Sequence, residues 1–193
     1  QNLMYFARTG DQVPYHIYLT KPIAKPDLKG LKIRIAPIYR EFFQTLGATV
    51  VQTAPGEVYT ALERGVVDGY GWPVLGLFDM GWQNVTKYRV DPGFYVMELG
   101  IQFNKAAWEK LTPEQRAFLE KQRDWLEQMA LERSVKDVET DLKRQAEAGI
   151  QPITFSEADT QAYLKESLDK GWAGVIKASP QHGEKLRELM VAP

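Results

Sequence analysis

Leu31-Lys32-Ile33-Arg34-Ile35-Ala36-Pro37 is the stretch on which the fold turns. Leu31, Ile33 and Ile35 alternate with Lys32 and Arg34, so a strand here puts its apolar side chains on one face and two cations on the other. Pro37 then opens a helix predicted over 38–46, and Gly47 closes it where a left-handed cap favours glycine. Ala48–Gln52 reads as a second strand. Residues 56–64 form a short helix with Val58, Ala61 and Leu62 on one side, closed by Gly65, and 66–70 are a third strand. Strand, helix, strand, helix, strand with short connectors is the pattern of parallel βαβ units and predicts an α/β sheet.

Working outward, the β-branched and aromatic run over 12–19 reads as a strand entered past Pro14, and Lys21–Gly30 as a connector rich in turn residues. Downstream, 73–84 carries a helical pattern interrupted by glycines, and strand-like runs follow at 86–90 and 97–103. Asn104 leads a helical turn through Trp108. Thr112-Pro113-Glu114-Gln115 is a helix start, with Thr as N-cap, Pro at the first position and Gln completing a capping box. The pattern then runs unbroken to Gly149, about 36 residues and roughly 54 Å at the helical rise. Phe118, Trp125, Leu126, Met129, Val135, Val138 and Leu142 fall near helical spacing and predict one buried face. Such a length suits a helix that bridges two lobes or enters an oligomer interface. A short strand at 150–155, a helix capped by Ser156 and running to Ile176, and a last helix begun at Ser179-Pro180 complete the chain.

Composition narrows the function. The 193 residues are 44% hydrophobic and 25% charged, with 24 Lys and Arg against 25 Asp and Glu. A net charge of −1 argues against nucleic acid, which requires a basic stripe. No apolar run approaches the roughly 18 residues that cross a bilayer. The absence of cysteine removes disulfides, zinc ribbons and thiol nucleophiles, and suits an oxidising compartment. The sequence begins at Gln1 without a leader, which a removed signal peptide or a truncation would equally explain.

Catalytic signatures are missing. No GxSxG, HExxH or Walker pattern occurs, Gly69-Tyr70-Gly71 lacks the third glycine of a dinucleotide loop, and His16 and His182 lie far apart. His16 in an apolar strand reads most simply as a satisfied core histidine, and His182 as a surface residue. Arg34 stands out, because it sits toward the C-terminal end of a strand in a βαβ unit, where open α/β sheets bind ligands. Its guanidinium offers a permanently charged fork that matches a carboxylate; the plainer reading is a surface pair with an acid such as Glu41. Trp72 and Tyr70 at a strand end can wall an apolar pocket, or simply pack in the core. Glu57, in the first turn of a short helix, is most simply a dipole partner.

These residues also resemble a known family. Asp27-Leu28-Lys29-Gly30-Leu31-Lys32-Ile33-Arg34 is similar to a segment of the periplasmic solute-binding receptors of tripartite ATP-independent (TRAP) transporters, the DctP-like family. Leu46-Gly47-Ala48, Gly56–Leu62 and Gly65-Val66-Val67-Asp68-Gly69 follow in the family's order, as do Phe103-Asn104-Lys105, Trp108, Leu111 and Thr112–Arg116. The resemblance runs from about Pro14 to the C-terminus, without the N-terminal segment that builds most of the family's first lobe.

It implies a type II periplasmic-binding-protein-like α/β fold with two lobes, here mostly the second lobe plus a long lobe-spanning helix. Residues 1–30 would be a connector and first strand, 31–99 the second lobe with the ligand-binding arginine, 100–149 a return strand and spanning helix, and 150–193 a C-terminal strand and helices packed on that lobe. The implied function is extracytoplasmic, in the periplasm: capture of a small organic acid and its delivery to TRAP membrane permease subunits, with no catalysis. Arg34 would clamp the carboxylate, with Trp72, Tyr70, Pro55 and Glu57 around it. Trp72 resembles the branch that binds 2-oxo or hydroxy acids, some with a bridging metal ion, but that branch's ligating Glu falls at Gly71, so no metal or other cofactor is expected. Pro55 replaces a pocket Phe of sialic-acid binders. The rival expectations are a hydrolase built on an acidic pair and a protein-interaction module without a small ligand. The long helix, with Trp125 and Met129, offers a face for a homodimer.

Overall fold

A 17-residue strand, β1 (Leu3–Leu19), organises the molecule. In the computed structural model, which describes residues 2–191 apart from the Met97 side chain, β1 does two jobs. Its C-terminal part pairs antiparallel with β4 (Gly69–Pro73) from Tyr15 to Leu19, and with β5 (Tyr88–Asp91) at Tyr18 and Leu19. Its remaining length pairs antiparallel with β6 (Tyr95–Asn104), forming a ribbon with three register shifts. On one flank β2 (Lys32–Ile35) lies parallel between β3 (Thr49–Gln52) and β4; on the other, β5 runs parallel to β7 (Gln151–Thr154). The strand order is β3-β2-β4-β1-β5-β7.

The period-two alternation of these strands divides the core. Ile17, Leu19, Ile33 and Ile35 point to one face, where α1 (Arg40–Thr45) brings Phe42 and Phe43 and α5 (Glu157–Ala178) brings Tyr163. Tyr18 and Tyr70 point to the other, with Val58 and Leu62 of α2 (Val58–Glu63), Leu77 and Trp82. Tyr18 stacks on Tyr70 with centroids 5.1 Å apart, and Tyr70 meets Trp82 edge-on at 4.9 Å. The chain continues after β6 through α3 (Lys105–Glu109) and α4 (Pro113–Glu147), and ends in α6 (Gly183–Met190).

Several elements differ from their sequence-based expectation, for local reasons. β1 begins at Leu3, well before residue 12, because β6 supplies partners for a segment with no compelling pattern of its own. β4 is shifted to 69–73, where it faces both β2 and β1. The 74–84 stretch is turns plus a 3-10 turn at Trp82–Asn84, since Gly76 and Gly81 take φ of +84° and +68° and end each helical turn.

The largest correction concerns α4. Its capping box is present, with Thr112 Oγ1 accepting from Gln115 N at 3.3 Å and Gln115 Oε1 accepting from Thr112 N at 2.9 Å. Its inward face, however, follows Leu119, Leu126, Ala130, Ser134, Val138 and Gln145. Phe118 and Trp125 are 62% and 61% exposed, and Val135 is exposed too. The helix lies against β1, and polar residues turn inward because they answer β1 and its neighbours: Glu127 Oε1 accepts from Arg8 N at 2.8 Å, and Gln145 Nε2 donates to Val74 O at 2.9 Å.

Gln145 belongs to a buried polar chain. It accepts from Arg89 NH1 at 3.0 Å, and Arg89 grips Asp91 with two bonds of 2.8 and 2.7 Å. Asp91 Oδ1 in turn lies 3.0 Å from His16 Nδ1. Burial alone would raise the Asp91 carboxyl, but hydrogen bonds from Arg89 and His16, together with the Arg89 charge, overcome it and bring the pKa down to about 2.

Two predictions follow from this packing. A methyl group at Gly69 would lie 2.7 Å from Leu19 Cδ2 and closer still to the Tyr18 carbonyl, so Gly69→Ala should cost about 1–3 kcal/mol in denaturant unfolding. A carboxyl whose pKa drops from 3.8 to about 2 on folding stabilises the native state above pH 3.8 and loses that contribution as pH falls toward 2. In urea titrations, that contribution should be about 1–2 kcal/mol at neutral pH after solvent screening, and Asp91→Asn should reduce the pH dependence in that window by about that amount.

Candidate functional site

The site grows from one register position. Arg34 of β2 lies opposite Tyr70 of β4, so its side chain leaves the sheet on the Tyr18–Tyr70 face. The residue is 4% exposed. Nε and NH2 donate to the Thr53 carbonyl, in the loop after β3, at 3.2 and 3.0 Å, and the guanidinium carbon lies 5.4 Å from the Trp72 ring centroid. NH1 is buried without a hydrogen-bond partner, and among the described residues Arg34 forms no ion pair. Glu41, the acid that sequence reading offered as its surface partner, is exposed. A buried guanidinium with only a carbonyl to answer it is costly in isolation, and it is suited to an anion.

Trp72 supplies the floor. Its ring packs against Trp82 at 4.7 Å, and its indole Nε1 is another buried donor without a partner. Tyr70 is fully buried; its hydroxyl lies 2.7 Å from Thr86 Oγ1 and burial holds it well above an ordinary phenol. Tyr70 therefore acts from beneath, by supporting the layer on which Arg34 and Trp72 rest. Pro55 and Glu57 are exposed, and Glu57 Oε2 accepts from Ala54 N at 3.3 Å, which closes the turn into α2. The tie of that turn to Arg34 is Thr53, two residues before Pro55. The structure thus brings Arg34 and Trp72 together, places Tyr70 below them and leaves Pro55 and Glu57 at the edge. His182 is exposed and takes no part.

His16 is the residue that sequence reasoning missed. It faces Trp72 across the β1–β4 pair and is 5% exposed. Nδ1 is satisfied by Val90 O at 2.9 Å and Asp91 Oδ1 at 3.0 Å, yet Nε2 is buried with no partner. A satisfied core histidine describes only half of the ring. The available signal was its place at the same end of the sheet as Arg34, which needs strand order and cannot be read from spacing alone.

Position 71 is closely covered. Tyr39 reaches over β4 and donates to the Gly71 carbonyl at 2.8 Å; its own hydroxyl is pushed up to about 12 by burial. A Cβ at Gly71 would lie 2.9 Å from the Tyr39 ring and 3.1 Å from Phe43. Among the described residues no three His, Asp or Glu side chains gather to hold an ion.

A cavity of about 920 Å³ opens elsewhere, between the Pro37–Tyr39 turn, residues 93–96 and α5. Phe42, Phe94, Leu164 and Trp172 line it, so it belongs to the α1–α5 face and holds none of Arg34, Trp72, Tyr70, Pro55, Glu57 and His16.

With this geometry in hand, comparison with known proteins is informative. The model of bacterial extracellular solute-binding proteins, family 7 (DctP), matches residues 10–177. A monocarboxylate 2-oxoacid-binding periplasmic protein of Nostoc sp. is 33% identical over 93 residues, 46% of this chain and 25% of that protein. A solute-binding protein of Chromohalobacter salexigens is 29% identical over 150 residues, 68% of this chain and 45% of the other. Among solved structures, a TRAP periplasmic solute-binding protein of Desulfovibrio salexigens with bound orotic acid superposes with a TM-score of 0.83 at 26% identity, covering 97% of this chain and 61% of that one. The ectoine-binding protein TeaA shares the fold, with a TM-score of 0.82 at 20% identity, covering 97% of this chain and 62% of its own. The chain thus spans about three-fifths of these solved proteins and less than half of the curated relatives. The fold expected of a type II periplasmic binding protein is the one observed, and the chain belongs to the bacterial extracellular solute-binding proteins of family 7.

Proposed function

We propose that this chain carries the anion-reading half of a periplasmic receptor that captures a small organic acid for TRAP-type uptake and hands it to the membrane permease subunits. The observation that carries the proposal is the Arg34 guanidinium, buried over Trp72 and lacking any carboxylate of its own. A ligand carboxylate meeting NH1 would complete that group, and the indole face would cover the ligand's apolar side. Support for the ligand class comes from relatives: orotate in the Desulfovibrio protein and 2-oxo acids in the Nostoc protein are both carboxylates.

Binding is non-covalent. His16 and Asp91 form the acid–histidine pair seen in many hydrolases, but Nε2 has no hydroxyl within hydrogen-bonding reach to activate, so no nucleophile accompanies the base. No metal is assigned to the site. A protein-partner reading rests on the exposed Phe118 and Trp125 of α4, where a second copy of the chain would find apolar surface; native mass spectrometry distinguishes a dimer from a monomer.

A thermal-shift panel of orotate, malonate, pyruvate and lactate tests the receptor reading. At least one acid should stabilise the chain saturably without being consumed. Arg34→Ala should weaken that acid by about 2–5 kcal/mol, roughly 30-fold to several thousand-fold, while the ligand-free melt stays cooperative. Undiminished affinity in the variant would remove Arg34 from the site.

A further inference from the structure

We infer that His16 is a second ligand-reading group and that it selects an acid carrying a hydroxyl on the carbon beside the carboxylate. The inference rests on the receptor reading above and narrows its substrate class.

The tautomer is set by the surroundings. Nδ1 faces two acceptors, Val90 O at 2.9 Å and Asp91 Oδ1 at 3.0 Å, so the ring proton sits there. Asp91 is pinned in turn: Arg89 holds both of its oxygens, and Gln145 of α4 anchors Arg89. The carboxylate has no freedom to turn away and release the ring. When the ring carries a single proton and Nδ1 holds it as donor, Nε2 is a bare lone pair, buried and without a donor to answer it.

His16 and Arg34 flank the same strand. β4 lies between β1 and β2, Trp72 faces His16 across one seam, and the Arg34 guanidinium rests on the Trp72 ring from the other. Two strand spacings separate the backbones, about 9.6 Å, and the Arg34 side chain spans part of that distance over the indole. A ligand answering both groups needs an anionic end for the donor NH1 and a proton donor for the acceptor Nε2. A 2-hydroxy acid offers both. The matching 2-oxo acid presents a carbonyl oxygen, which sets lone pair against lone pair at Nε2 and leaves the imidazole unsatisfied.

The test is a titration of the purified chain at pH 8 with three matched pairs: lactate and pyruvate, 2-hydroxyglutarate and 2-oxoglutarate, mandelate and benzoylformate. In the pair that fits the site, the hydroxy acid should bind about tenfold or more tighter. His16→Gln should bring the two members within about twofold, because a side-chain amide turns either its donor or its acceptor to the ligand. His16→Leu should weaken the hydroxy acid about tenfold while the oxo acid stays within about threefold. A merely structural role would weaken both members equally and leave their ratio unchanged. Should His16→Leu lose its cooperative ligand-free melt, the ratio in His16→Gln decides. A wild-type preference for the oxo acid, or a ratio unmoved by His16→Gln, overturns the assignment of His16 and leaves Arg34 as the clamp. No binding by any acid, or binding that survives Arg34→Ala, overturns the receptor reading and this inference with it.

Discussion

A single guanidinium, buried where the sheet provides no counter-charge, sets the requirement that the surrounding structure meets. Arg34 is held by the Thr53 carbonyl and by the face of Trp72, both weak partners beside a carboxylate. Everything below it is rigid. Trp72 leans on Trp82, Trp82 on Tyr70, and Tyr70 on Tyr18, so the floor of the site is an aromatic stack fixed within a close-packed core. In the proposed receptor this is an advantage, because a floor that cannot shift leaves the ligand to supply the fit.

The same economy of partners appears on the far side of β4. Asp91 takes three donors from two side chains, both guanidinium edges of Arg89 and one imidazole edge of His16, and thereby fixes which nitrogen of His16 carries hydrogen. Arg89 and Arg34 stand on one sheet, the first partly buried and the second buried, but they differ in kind: among the described residues one is neutralised within the fold and the other is not.

Much of this was legible in the sequence where a short pattern decides the outcome. The alternation of Leu31 to Ile35, the glycine after α1 and the Thr112 capping box each specify a local geometry that tertiary context did not override. Arg34 emerged because its position in a βαβ unit fixes which end of the strand it occupies. What escaped were features set by partners distant in sequence. The start of β1 depends on β6, some ninety residues later. The inward face of α4 depends on what β1 and its neighbours present to it, so Ser134 and Gln145 are buried while Phe118 and Trp125 are exposed, the reverse of what hydrophobic spacing suggests. His16 looked complete because the sequence shows one histidine and not two separately partnered nitrogens.

β1 also has a mechanical character. Between Tyr15 and Leu19 its ladder is regular and clamped on both edges, whereas its three register shifts all fall between Tyr5 and Val13, where Gln12 adopts a left-handed φ of 60°. One continuous strand is therefore stiff where it carries His16 and compliant immediately beyond. Bending would concentrate in that yielding section, sparing the geometry around His16.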